Sequence, residues 1–123
     1  MEISVYVDGS GGEKSGYGFF IKETGESFYE EKLGITNNQA EYNAIIVALK
    51  KFQGSTDKIT IFSDSKNTVN QLNHEFAINN EQLRIFAQEA WLLIPKISKL
   101  KMKDVFSILK NIIILMNQTR KFF

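Results

Sequence analysis

Three acidic residues are spaced so that a small mixed fold would gather them. Asp8 closes an alternating, β-branched run and precedes Gly9-Ser10-Gly11-Gly12, Glu41 lies in a stretch with helical apolar spacing, and Asp64 follows a second short β-like run. Acidic residues at strand ends and near a helix start can converge on one rim of a sheet, where loops leave room for a ligand. Three clustered carboxylates repel one another unless a cation neutralises them. Oxygen donors suit hard divalent ions, Mg²⁺ above all. The chain has no cysteine and one histidine, His74, so any metal is held by oxygen or by that imidazole. Taken singly, each carboxylate also has a plain explanation. An Asp before glycines is ordinary turn chemistry, a Glu early in a helix favours the macrodipole, and an Asp between serines can cap the next helix.

The elements that must position these residues follow from local pattern. Residues 2–7 read as a strand ending at Asp8, and Gly9-Ser10-Gly11-Gly12 as the turn after it, since successive glycines permit positive φ. Two more strands are expected over 17–22 and 26–33, joined at Thr24-Gly25, which makes an antiparallel meander. Asn37 or Asn38 is a suitable helix N-cap, placing Glu41 in the first turn. Ala40, Ala44, Val47 and Ala48, widened by Ile45, Ile46 and Leu49, give a broad apolar face suited to packing on a sheet. A strand over 58–62, a helix to Leu72, a helix from Asn80 to Leu93 closed by Pro95, and a last strand over 102–109 complete an α/β pattern.

At 123 residues the chain suits one domain, and its 43% apolar and 24% charged residues are those of an ordinary globular protein. No basic region followed by an apolar run opens the sequence, so no signal peptide is expected, and a cytoplasmic location fits that and the lack of cysteine. The longest apolar stretch, 112–116, is far too short for a membrane span. A formal charge of +1 does not mark a nucleic-acid binder, but lysines cluster from Lys96 to Lys110, as either a solvated face or a phosphate-contacting one.

Three segments resemble type 1 ribonuclease H. Tyr6-Val7-Asp8-Gly9-Ser10 with Gly16-Tyr17-Gly18-Phe19-Phe20-Ile21 is similar to that family's first hairpin. Thr36-Asn37-Asn38-Gln39-Ala40-Glu41-Tyr42-Asn43-Ala44 is close to its first-helix signature, and Ile61-Phe62-Ser63-Asp64-Ser65 with Val69-Asn70-Gln71-Leu72 resembles its fourth strand and next helix. The resemblance covers residues 3–93. It implies a ribonuclease H-like α/β fold, with a five-stranded mixed sheet flanked by helices. It implies an endonuclease that hydrolyses the RNA strand of RNA–DNA hybrids with two Mg²⁺ or Mn²⁺ ions about 4 Å apart. Asp8 is then expected to bridge both ions, Glu41 and Asp64 to hold one each or share, and the Gly9 carbonyl to add a ligand. Gly9, Gly11 and Gly12 would let backbone approach a sugar-phosphate, and Ser10 would reach a phosphate or 2′-hydroxyl. Asn38 and Gln39 match family positions that contact bases and 2′-hydroxyls across the minor groove, the group that tells RNA from DNA; a plain capping role for Asn38 stays open beside this.

The ending departs from the family. A late histidine loop and an Asn-x-x-Ala-Asp segment carrying a fourth carboxylate are missing; after Glu89 the only acidic residue is Asp104, which falls too early to reach the metals. The expected position lands near Asn117 or Gln118, and Asn117 is the substitute ligand expected here. The segment 110–123 is an atypical tail on a family-like core of 1–109. Its apolar run either packs on the sheet or pairs with a second copy in a homodimer. A frameshift that replaced the ancestral ending would also account for it. His74 follows the second helix and is not expected in catalysis; Phe86, Trp91 and Leu93 read as core. The family's basic protrusion is absent, so hybrid affinity should be modest and salt-dependent. The competing reading is a nucleic-acid-binding or interaction domain that kept the fold and lost turnover.

Overall fold

Val5, Val7, Ile59 and Ile61 alternate with more exposed neighbours along two strands, and they place the centre of the sheet. The computed structural model describes residues 1–106. Its strands are β1 (Glu2–Ser10), β2 (Gly16–Ile21), β3 (Ser27–Glu31), β4 (Lys58–Ser63) and β5 (Lys99–Asp104). Helix α1 (Asn37–Lys51) links β3 to β4, and α2 (Lys66–Leu72), α3 (Glu81–Leu93) and a 3₁₀ turn (Ile94–Lys96) link β4 to β5. The sheet order is β3-β2-β1-β4-β5, with β1–β2 and β2–β3 antiparallel and β1–β4 and β4–β5 parallel. Both parallel pairings need crossovers, and the helices supply them. The five-stranded mixed sheet expected from the sequence is the one observed.

One face of this sheet is covered by the apolar side of α1, and α3 packs in turn against α1. Ile3, Val5, Val7, Phe19, Ile21, Ile59, Ile61 and Met102 pack with Tyr42, Ile45, Leu49, Leu83 and Leu93 in a single core. Ala44, Ala48, Ala87 and Ala90 are fully buried, and such small side chains let the helices lie close to the sheet and to each other. Phe86 and Trp91 pack partly buried against this core and Leu93 lies inside it, as read from the sequence. No helix among the described residues is long and apolar enough to cross a membrane.

Several boundaries differ from expectation, each for a pairing reason. β1 runs through Asp8 to Ser10, because Gly9 and Ser10 pair with Tyr17 and Gly16; the turn begins only after them. β3 stops at Glu31, where β2 offers no further partner beyond Gly16. β5 covers Lys99–Asp104 instead of 102–109, matching β4 residue for residue from Lys58↔Lys99 to Ser63↔Asp104 and ending where β4 ends. Neither Asn37 nor Asn38 caps α1. Thr36 does, in a reciprocal capping box with Gln39, so Glu41 falls beyond the first turn. The readings on Asn117, on the apolar stretch 110–117 and on its pairing with a second copy lie outside the described residues.

Helix α1 crosses the end of β1 at backbone contact. A Cβ at Gly9 would lie 2.4 Å from the carbonyl carbon and oxygen of Ala40 and 2.7 Å from the Glu41 nitrogen. A Cβ at Gly11 would meet the Asn37 nitrogen at 2.4 Å. Both glycines are therefore required by the helix, which occupies the side of the backbone where a Cβ would point. Gly12 differs: it has φ +99° and open space beside it, which is turn chemistry. Gly9→Ala should cost about 3 kcal/mol, the upper end of overpacking, because the obstructing atoms are backbone. Leu92→Ala, at a 73% exposed site, should change stability by less than about 0.5 kcal/mol. Urea melts of the two variants provide the comparison, and equal midpoints would remove the claim.

Candidate metal centre

The close crossing of α1 over β1 has a chemical consequence. Asp8 sits in β1 opposite Gly18 of β2, Asp64 follows the last residue of the neighbouring parallel strand β4, and Glu41 comes down from α1. One carboxylate oxygen from each of the three lies within 4.8 Å of the others. Asp8 and Asp64 are exposed, whereas Glu41 is only 9% exposed. The cluster is thus open to solvent on the aspartate side and closed behind Glu41.

Polar neighbours hold the buried member. The Ser63 hydroxyl donates a long hydrogen bond of 3.5 Å to Glu41 Oε2 and accepts one from the Ser65 amide at 3.1 Å. The backbone N–H of Gly9 serves both Glu41 and Asp8. These donors favour the ionised carboxylates but do not prevail. Burial, then the charges of Asp64 and Asp8, push the Glu41 carboxyl up to about 8. Burial, with Asp64 beside it, also raises Asp8. Without a cation the cluster therefore retains a proton near neutral pH. Three oxygen donors, an opening to solvent and an uncompensated negative charge suit a hard divalent ion.

The remaining sequence candidates fall in different places. Ser10 is exposed two residues along β1 from Asp8, and Asn38 is exposed in the first turn of α1. Gln39 is occupied at both ends of its side chain: Oε1 accepts from the Thr36 amide and Nε2 donates to Gln82 Oε1 at 3.1 Å. Gly9, expected to offer its carbonyl to a metal, lies in β1 next to Asp8, and its backbone amide is hydrogen-bonded to the carboxylates. His74 has φ +64° after α2 and stacks on Trp91 at 4.8 Å, apart from the cluster. Asp104 is buried at the end of β5 opposite Ser63 and is not one of the three clustered carboxylates.

Two contributors escaped the sequence reading. Ser63 falls just beyond the strand expected over 58–62, and only strand alternation, which buries every second residue of β4, would have pointed it inward. Asn37 accepts a 2.6 Å hydrogen bond from the Gly11 amide, tying the helix start to the turn after β1. No local signal announces that contact across 26 positions.

Comparisons with known proteins bear on this geometry. A sequence profile described as RNase H matches residues 1–118, and no curated protein matches. RNase H1 from the halophilic archaeon Halobacterium salinarum NRC-1 superposes with a TM-score of 0.75 and 26% identity, covering 85% of this chain and 86% of that one. The N-terminal RNase H domain of rv2228c from Mycobacterium tuberculosis, solved as a maltose-binding-protein fusion, gives 0.76 and 19%, covering 85% and 81%. LC11-RNase H1, solved in complex with an RNA/DNA hybrid, gives 0.75 and 20%, covering 84% of each chain. The last two likenesses speak to fold alone, and the fold is the one the sequence led us to expect.

The raised carboxyl sets a pH dependence. Glu41 binds its proton more tightly folded than unfolded, so its contribution to stability is fully present below the ordinary carboxylate range and is lost as pH rises through about 8. Metal-free protein should therefore melt at a lower temperature at pH 8.5 than at pH 5.5. Glu41→Gln should flatten that difference and raise the melting temperature at the higher pH. Equal pH profiles for the two proteins in chelator would show that Glu41 is not the strained group.

Proposed function

The chain belongs to the ribonuclease H family, and from that premise we propose that it hydrolyses the RNA strand of RNA–DNA hybrids with divalent cations. The observation that carries this reading is the meeting of Asp8, Glu41 and Asp64 within 4.8 Å at an open rim. Three mutually repelling carboxylates weaken a fold that has no use for them. The hybrid held by LC11-RNase H1 supports the choice of substrate.

We assign Asp8, one of the three carboxylates that meet at the rim, to hold the cations through its exposed oxygens. Asp64 offers a second exposed donor, and Glu41 closes the site from the helix side. When bound, Mg²⁺ or Mn²⁺ supplies activation of the attacking water and stabilises the leaving 3′ oxygen. Glu41 must release its proton for this, and the Ser63 hydroxyl and Gly9 amide steady the anion that results. Ser10 and Asn38 lie exposed on the two elements that carry Asp8 and Glu41, within the same rim, and we assign them the 2′-hydroxyl and phosphate contacts. Asn117 is our choice for the ligand that replaces the family's fourth carboxylate.

A second reading has its own support. Among the described residues the cluster gathers three carboxylates, and Asp104 is not one of them. A domain that grips nucleic acid with little turnover fits a cluster of that size. Cleavage of a labelled RNA–DNA hybrid in Mg²⁺ and in Mn²⁺, with duplex DNA and duplex RNA as controls, decides between them. We expect hybrid-specific cutting, reduced at least about a hundredfold in Asp8→Asn while the variant stays folded. Binding without cutting in either metal would leave the second reading. Asn117→Ala should slow cutting about tenfold or more, and an unchanged rate would remove Asn117 from the site.

A further inference from the structure

Among the described residues nothing covers the sheet face turned away from α1; the cluster lies at one end of it, and the rest carries a different chemistry. Register places its residues in rows across β1, β4 and β5: Glu2, Lys58 and Lys99; then Ser4, Thr60 and Lys101; then Tyr6, Phe62 and Lys103. Asp8 and Asp64 follow in the next row. All four lysines are exposed, and among the described residues none of their ammonium groups is held in an ion pair. With Glu2, Ser4 and Thr60 they line a shallow depression of about 450 Å³. Beside Lys103, the Tyr6 and Phe62 rings stack at 5.1 Å, with Tyr6 42% exposed and Phe20 next to it 46% exposed.

Fold stability does not account for this arrangement. Lys58 and Lys99 are directly paired, and like charges at opposed positions work against a sheet. Lysines on an edge strand such as β5 discourage strand-to-strand aggregation. Lys58, however, belongs to β4, an interior strand with no edge to protect. Glu2 is the one carboxylate within these rows, against four ammonium groups. Alternate residues along a strand stand about 6.7 Å apart, so Lys99, Lys101 and Lys103 form a ladder of charges commensurate with successive phosphates of a nucleic-acid strand.

We propose that this lysine ladder, with the Tyr6–Phe62 stack, binds a single nucleic-acid strand across the open sheet face, leading to or from the carboxylate cluster. The lysines take the phosphates, and the exposed Tyr6 ring, backed by Phe62, offers bases a stacking platform; the two together are the recurrent means of holding single strands without sequence preference. The site goes beyond hybrid cleavage and does not depend on turnover.

The test uses the full chain in chelator, so that nothing is cut, with a fluorescent single-stranded oligonucleotide titrated across a range of salt. Each phosphate contact on a single strand contributes about −0.7 to the slope of log affinity against log salt. Replacing Lys99, Lys101 and Lys103 together by Gln should reduce the slope by about 2, and replacing them by Arg should restore it. Tyr6→Ala should weaken oligonucleotide binding about tenfold while leaving inorganic polyphosphate binding unchanged. An unaltered slope in a folded Gln variant overturns the proposal, and so does a wild-type chain that binds no oligonucleotide. Polyphosphate binding as tight as oligonucleotide, with no effect of Tyr6→Ala, would reduce the face to a general polyanion patch and overturn it equally. Lysine-dependent binding in a chain that cuts no hybrid supports this surface and sinks only the enzymatic reading.

Discussion

The contact between the backbone of β1 and the start of α1 is the constraint on which the rest of the molecule turns. Gly9 and Gly11 have no side chain to separate the two, and the helix settles onto the strand with Ala40 and Glu41 against Gly9. Thr36 and Gln39 fix where the helix begins, and Asn37 fastens that beginning to the Gly11 amide. Had a Cβ intervened at Gly9, it would meet the Ala40 carbonyl at 2.4 Å, and helix and strand would have to move apart. Packing at two glycines is thus translated directly into the position of one carboxylate.

That position is costly to the protein on its own. Glu41 is buried beside two other acids, and the few donors around it, Ser63 and the Gly9 amide, do not compensate its charge. The core of aliphatic and alanine side chains between the sheet and the two helices carries this load. Such local opposition between stability and arrangement is the usual mark of a site shaped for a ligand. The open face of the sheet shows the same tension in the opposite sign, where Lys58 and Lys99 stand side by side. Acidic rim and basic stripe lie on one surface, where Lys103 shares its row with the Tyr6 and Phe62 rings, within a chain whose net charge is only +1. Whole-chain charge therefore concealed both.

Local pattern determined a good deal by itself. The alternation of Val5, Val7, Ile59 and Ile61, the helical spacing of Ala40, Ala44 and Ala48, and the resemblance of the segments around Asp8, Glu41 and Asp64 were enough for the element order and the acidic trio. These signals are legible because periodicity depends only on neighbours a few residues apart. Strand ends were read less well, since a strand stops where its partner stops, and the partner of β5 lies some 40 positions earlier.

Tertiary structure alone decided what each residue is for. Gly9 and Gly11 signalled close approach in the sequence, but only the packed chain shows that the approaching body is α1. Gln39 belonged to a recognisable motif, yet its amide is consumed by the cap and by Gln82, 43 positions away. The proton held by Glu41 likewise arises from burial and from the charges of Asp64 and Asp8, contributed by two other segments of the chain. Residue types and their spacing are properties of the chain and can be read along it. Proximity, desolvation and charge coupling act through space, and they exist only once distant segments have been brought together.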